Sequence, residues 1–184
     1  MFALLLLISG FLVNFAMYFQ PCRKKTLYYS VFSSSLLGLY NVFEISLTGG
    51  LICFIAIANT IFQIYSPISP THKNRVIRLS IAMMAALFGT AVLAQSQADY
   101  LPMMAFIIVC FAETATRQGN IYKMYVLSVF MWVMYPYIHG DMAYAALNSV
   151  LLMVNIIILN KTYRQSLLNI NLQRFVPAIY KKTV

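Results

Sequence analysis

Apolar residues run through this chain in long blocks, unlike the short alternations of strands or the one-sided stripes of surface helices. Seven windows approach the roughly 20 apolar residues that a helix needs to cross a bilayer: 2–20, 27–46, 50–66, 77–96, 101–117, 122–138 and 142–160. The fifth is the weakest, being short and carrying Glu113 near its end. Turn chemistry marks the breaks. Thr48-Gly49-Gly50 and His139-Gly140-Asp141 are tight breaks, and Ser66-Pro67-Ile68-Ser69-Pro70 stops the third window, because proline lacks an N–H and forces extended geometry. The pattern predicts an all-α membrane protein of about seven transmembrane helices within residues 1–160, followed by a tail, 161–184.

Charge gives the windows a direction. The first, third and fifth connections and the tail contain Arg23, Lys24, Lys25; Lys73, Arg75, Arg78; Arg117, Lys123; and Lys161, Arg164, Arg174, Lys181, Lys182. Those are all 13 basic residues, and the intervening connections hold Asp99 and Asp141 instead. Because basic loops stay cytoplasmic, the amino terminus is expected outside and the basic tail in the cytoplasm. Dropping the fifth window would put Asp99 and Arg117 on one side and break this pattern. Arg23-Lys24-Lys25 follows the first apolar run, the order of a retained span and not of a cleaved signal. Beyond Asn160, apolar residues such as Leu167, Leu168 and Phe175 lie among polar ones, which suits a segment lying on the inner leaflet, held by its basic residues.

Composition agrees with a lipid bilayer as the main partner. The chain is 61% hydrophobic and 9% charged, against about 25% charged residues in an average soluble domain. Its net charge of +9 is scattered in small groups between apolar runs, so nucleic acid is not an expected partner. Tyr28, Tyr65, Tyr100, Tyr135 and Tyr137 are among the tyrosines near window ends, where they read as an interfacial belt.

Catalysis has little to work with. Glu44, Asp99, Glu113 and Asp141 are the acidic residues, and His72 and His139 fall on opposite sides of the membrane. No carboxylate pair shares a helix face, and Cys22, Cys53 and Cys110 have no metal-ligand spacing. Neither an enzyme nor a cofactor is expected. Glu113, four residues before Arg117, reads as its ion-pair partner, and His139 and Asp141 read as an ordinary solvated turn.

The amides inside the windows are more informative. Asn14, Asn59, Asn148 and Asn155 must find partners in hydrocarbon, and the last two, seven residues apart, share one helix face. They either hydrogen-bond helices together or line a polar-solute site near the midplane. Glu44, near the outer end of the second window, and Trp132, close to Pro136, complete the candidate binding set. Pro136 frees a backbone carbonyl one turn earlier and can kink its helix.

The windows also divide as three, one and three, the lone fourth letting both triplets run the same way. The stretches Leu47-Thr48-Gly49-Gly50 through Ala58-Asn59-Thr60 and Asn148 through Ile157 resemble the YgjV family of bacterial inner-membrane proteins, with length and hydropathy similar over nearly the whole chain. The resemblance implies an inner-membrane location. That family's layout is similar to the triple-helix-bundle carriers, which include the sugar-transporting SWEET proteins, although this chain has no Pro-Gln dipeptide of their kind. The expected function is a carrier or channel for a small polar solute. The other reading is a structural or accessory protein that organises partner proteins through its spans.

Overall fold

The computed structural model describes residues 2–17, 19–20, 23–65, 72–114 and 118–175. These form α1 (Phe2–Met17), α2 (Arg23–Glu44), α3 (Leu47–Tyr65), α4 (His72–Leu93), a 3₁₀ turn (Gln97–Asp99), α5 (Tyr100–Thr114), α6 (Gln118–Ile138) and α7 (Met142–Phe175). No strand occurs among the described residues, and each apolar window falls on one helix. The protein is all-α. Three helices are long and apolar enough to cross a membrane, over Leu47–Tyr65, Lys73–Leu93 and Met142–Lys161, while α1 and α5 are shorter apolar helices. On α4, Ile81, Met84, Phe88 and Val92 recur at helical spacing and are all exposed. Such a stripe needs an apolar surrounding.

The last helix continues beyond the apolar window that ends at residue 160. A single helix, α7, runs unbroken for 34 residues, about 51 Å at 1.5 Å per residue. Backbone hydrogen bonding carries it past Lys161 although the residues there are no longer uniformly apolar, so residues 161–175 extend the last helix. Residues 176–184, Cys22 and the proposed Glu113–Arg117 pair lie outside the described residues or side chains.

Each helix packs on the next in sequence, and contacts of α3 with α5 and of α1 with α7 close the arrangement into a ring. Exchanging α1, α2 and α3 for α5, α6 and α7 maps the contacts α1–α2, α2–α3 and α3–α5 onto α5–α6, α6–α7 and α7–α1. The fourth helix stands apart from this exchange, packed on α3 and α5. Small residues allow the close approaches. A Cβ at Gly38 of α2 would stand 2.9 Å from the Cβ of Cys53 on α3, nearer than ordinary van der Waals contact.

Hydrogen bonds repeat the same relation at a fixed offset of 95 residues. Ser46 donates its amide to the Asn41 carbonyl, and Asp141 to that of Pro136, both at 2.9 Å. The Ser46 hydroxyl accepts the Gly49 amide, and the Asp141 carboxylate accepts the Tyr144 amide. Each of the two is thereby the N-cap of the following helix, α3 or α7. Deeper in the same helices, Thr60 bonds to the Ala56 carbonyl and Asn155 to that of Leu151, each at 2.8 Å. Burial follows suit, since Leu7 and Pro102, Phe11 and Phe106, Ser33 and Ser128, and Tyr40 and Tyr135 are all buried.

Candidate functional site

The described acidic side chains, Glu44, Asp99 and Asp141, gather where α2, α4 and α6 end and α3, α5 and α7 begin. At this acidic end two tyrosines reach across the bundle. Tyr135 of α6 shares a 2.6 Å hydrogen bond with the Ser46 hydroxyl, and Tyr40 of α2 donates to Oδ2 of Asp141. The two bonds are again equivalent at the offset of 95, so each tyrosine grips the N-cap residue of the opposite triplet. Tyr135 is therefore no belt residue: it is 0% exposed, because its hydroxyl has a partner inside the protein. Tyr65, Tyr100 and Tyr137 are exposed, as a belt requires.

The turn His139-Gly140-Asp141 also differs from the solvated loop expected. Gly140 has a φ of +84°, and the Gly140 and Asp141 amides return to the Tyr137 and Pro136 carbonyls, the Schellman arrangement that closes a helix. This folds His139 back over α6. Its Nδ1 lies 2.9 Å from the Tyr135 carbonyl oxygen, its ring packs edge-on against that of Tyr135, and its Nε2 stands 3.5 Å from Oδ1 of Asp99.

Asp99, at the end of the 3₁₀ turn, is only 1% exposed. Its Oδ2 accepts the Gln95 amide at 3.0 Å, the Ser96 amide at 2.9 Å and the Ser96 hydroxyl at 3.1 Å. Burial pushes this carboxyl up, but the Ser46 hydroxyl facing it, the two backbone amides and the Ser96 hydroxyl outweigh that, and the net shift is downward. Donors crowded on one side stabilise the charged form. The other oxygen, Oδ1, has no hydrogen-bond partner.

Deeper in the network, the Asn41 amide nitrogen donates to the Leu37 carbonyl at 2.7 Å and to the Tyr144 hydroxyl at 3.3 Å, leaving its own Oδ1 unpartnered. Gly49 lies between this oxygen and Tyr135: a Cβ there would be 2.9 Å from Asn41 Oδ1 and 2.5 Å from the Tyr135 hydroxyl. Only a residue without a side chain leaves these two groups room to face each other.

The candidates from the sequence separate into two groups. Asn148, buried on α7, donates at 2.7 Å to the carbonyl of Trp132, the one that Pro136 leaves without its helical partner. Trp132 itself is half-buried and packs edge-on against Tyr135. These two border the network. Asn59 and Asn155 are buried further along α3 and α7, Asn155 bonding within its own helix. Asn14 is half-buried on α1, and Glu44 is exposed at the end of α2. Sequence reasoning passed over Asn41, Ser46, Tyr135 and Asp99 as site residues. The signal that could have found them is a tyrosine followed six positions later by an N-cap residue at a helix break, Tyr40 to Ser46 and Tyr135 to Asp141. Comparison with protein-family models, with curated proteins and with solved structures finds no match to this chain.

Proposed function

We propose that this chain is a seven-span bacterial inner-membrane protein, with its amino terminus outside and its carboxyl end cytoplasmic, that carries a small polar solute. The two triplets act as parallel halves joined by α4. The observation that carries this reading is the buried polar network at the acidic end, which draws on α2, the start of α3, the 3₁₀ turn, α6 and the start of α7. Each buried polar atom left without a partner costs about 1–3 kcal/mol, and both Asn41 Oδ1 and Asp99 Oδ1 are in that state. A bundle that only had to hold together would place apolar side chains there. Resemblance to inner-membrane proteins with a carrier-like layout points the same way.

The accessory reading has one observation in its favour. At about 51 Å, α7 exceeds the roughly 30 Å of the hydrocarbon core, which leaves helical length for a partner protein to grip. Flux separates the two. Purified protein in liposomes should admit small neutral and zwitterionic solutes faster than empty liposomes do, and Asn41→Leu should slow this at least fivefold while Trp132 fluorescence reports an intact fold. Rates equal to those of empty liposomes for every solute would leave the accessory reading in place.

A further inference from the structure

Of the buried side-chain atoms without a hydrogen-bond partner at the acidic end, Asp99 Oδ1 and Asn41 Oδ1 can only accept, while the Thr48 hydroxyl on the first turn of α3 and the Thr90 hydroxyl on the last turn of α4 can also donate. The Tyr135 carbonyl can only accept, so the hydrogen on His139 Nδ1 is fixed, and in the neutral ring Nε2 presents a lone pair. That lone pair faces Asp99 Oδ1, which makes no hydrogen bond, at 3.5 Å, with the Ser46 hydroxyl turned toward the same carboxyl. Nearby, both Asn41 amide hydrogens are committed and its Oδ1 has no donor either. Asp99 and Asn41 are 1% and 0% exposed, so bulk water does not relieve them. The groups are contiguous, because the Ser46 hydroxyl touches both the Tyr135 hydroxyl and the Asp99 environment, and the Tyr135 hydroxyl meets Asn41 Oδ1 across Gly49.

What Asp99 Oδ1, Asn41 Oδ1 and the His139 lone pair share is the want of a donor, and a group with several N–H bonds and a positive charge answers to the carboxylate as well. This end of the bundle holds Glu44, Asp99 and Asp141, whereas the Lys and Arg among the described residues lie on the opening turns of α2, α4 and α6 or on α7 from Lys161 onward. Among the described residues no group of three or more His, Cys, Asp or Glu is placed to hold a metal ion. A nitrogen lone pair and the ring of Tyr135 beside the carboxylate suit an ammonium better than a hard alkali cation.

We propose that the acidic end binds the primary ammonium group of a small organic solute, with one N–H to Asp99 Oδ1, one to His139 Nε2 and the third toward the Tyr135 and Ser46 hydroxyls. This deepens the carrier reading and rests on it for the purpose of the site, but it is tested by binding alone. Full-length protein in detergent at pH 8 is titrated with methylammonium chloride, methanol or sodium chloride at matched ionic strength. Trp132 fluorescence and the melting temperature are the readouts. Methylammonium should give a saturable response and a higher melting temperature, and the other two should not. Asp99→Asn and His139→Phe should each weaken the apparent affinity at least tenfold; if Asp99→Asn does not fold, His139→Phe decides. No response to methylammonium, an equal response to sodium chloride, or folded variants that bind like the parent would overturn the proposal. A protein that binds methylammonium but passes no solute keeps this site and loses the carrier reading, and one that passes solutes without binding it does the reverse.

Discussion

Asn148 is where a binding role and a structural role make opposite forecasts. Proline at 136 has no N–H, so the Trp132 carbonyl one turn back lacks its usual helical donor, and the Asn148 amide takes that place from α7 at 2.7 Å. Replacing Asn148 with leucine, which is similar in size, removes the donor and leaves the carbonyl facing apolar neighbours. An orphaned buried acceptor costs about 1–3 kcal/mol, while interhelical side-chain contacts in a membrane bundle average about 0.6 kcal/mol. A loss of about 1–2 kcal/mol is expected for Asn148→Leu. Pro136→Ala supplies the missing N–H from within α6. In the double variant it should recover most of that loss, a coupling of about 1 kcal/mol between the two positions. Equilibrium unfolding in mixed micelles, followed through Trp132, the sole tryptophan, measures all four members of the cycle. Additive effects, or an Asn148→Leu variant as stable as the parent, would refute the reasoning and return Asn148 to the list of candidate ligand contacts.

Three other substitutions test the acidic end. Gly49→Ala gains up to about 1 kcal/mol of helix propensity but forces a Cβ to within 2.5 Å of the buried Tyr135 hydroxyl. Overpacking costs about 1–3 kcal/mol, so a net loss is expected, partly relieved by adding Tyr135→Phe; thermal melts of the two single variants and the double variant check it. Gly140→Ala has nothing within 4 Å of its new methyl, yet the φ of +84° should still cost about 1–2 kcal/mol, read as a lower melting temperature. Asp99 has a folded value below its ordinary 3.8, so its contribution is present above that pH and is lost as pH falls through the lower folded value. Melting temperature should therefore drop more steeply with acid below pH 3.8 in the parent than in Asp99→Asn.

The helices were legible because blocks of apolar residues need no tertiary context to be recognised, and among the described residues each of the seven windows overlaps one helix. The far end of the last one was not, because α7 continues to Phe175 after the apolar block has ended. Tyr135 was misread for a related reason, since position near a window end predicts an interfacial ring unless its hydroxyl has a partner. That partner, Ser46, is 89 residues away. The Tyr40–Asp141 bond spans 101 residues. A site made from four helix ends leaves no local spacing to read, and the repeat that organises it survives mainly as geometry, with identities such as Phe11 and Phe106, Ser33 and Ser128, and Tyr40 and Tyr135 scattered among unlike residues.

Those unlike residues explain each other. The Leu37 and Trp132 carbonyls are equivalent at the offset of 95, and both accept an asparagine side-chain amide at 2.7 Å. In the first triplet the donor is Asn41, one turn along the same helix. In the second, Pro136 occupies the place of Asn41, and the donor comes from Asn148 across the α6–α7 contact, at the position equivalent to Cys53. The two differences thus compensate: where α6 has a proline in place of the asparagine, an amide from α7 satisfies the equivalent carbonyl. Exchanging the arrangement, with Asn148→Cys and Pro136→Asn together, should restore a locally bonded carbonyl and fold where Asn148→Cys alone is destabilised. Equal instability of the double and single variants would mean that the two halves are alike in outline but not in the way their backbones are satisfied.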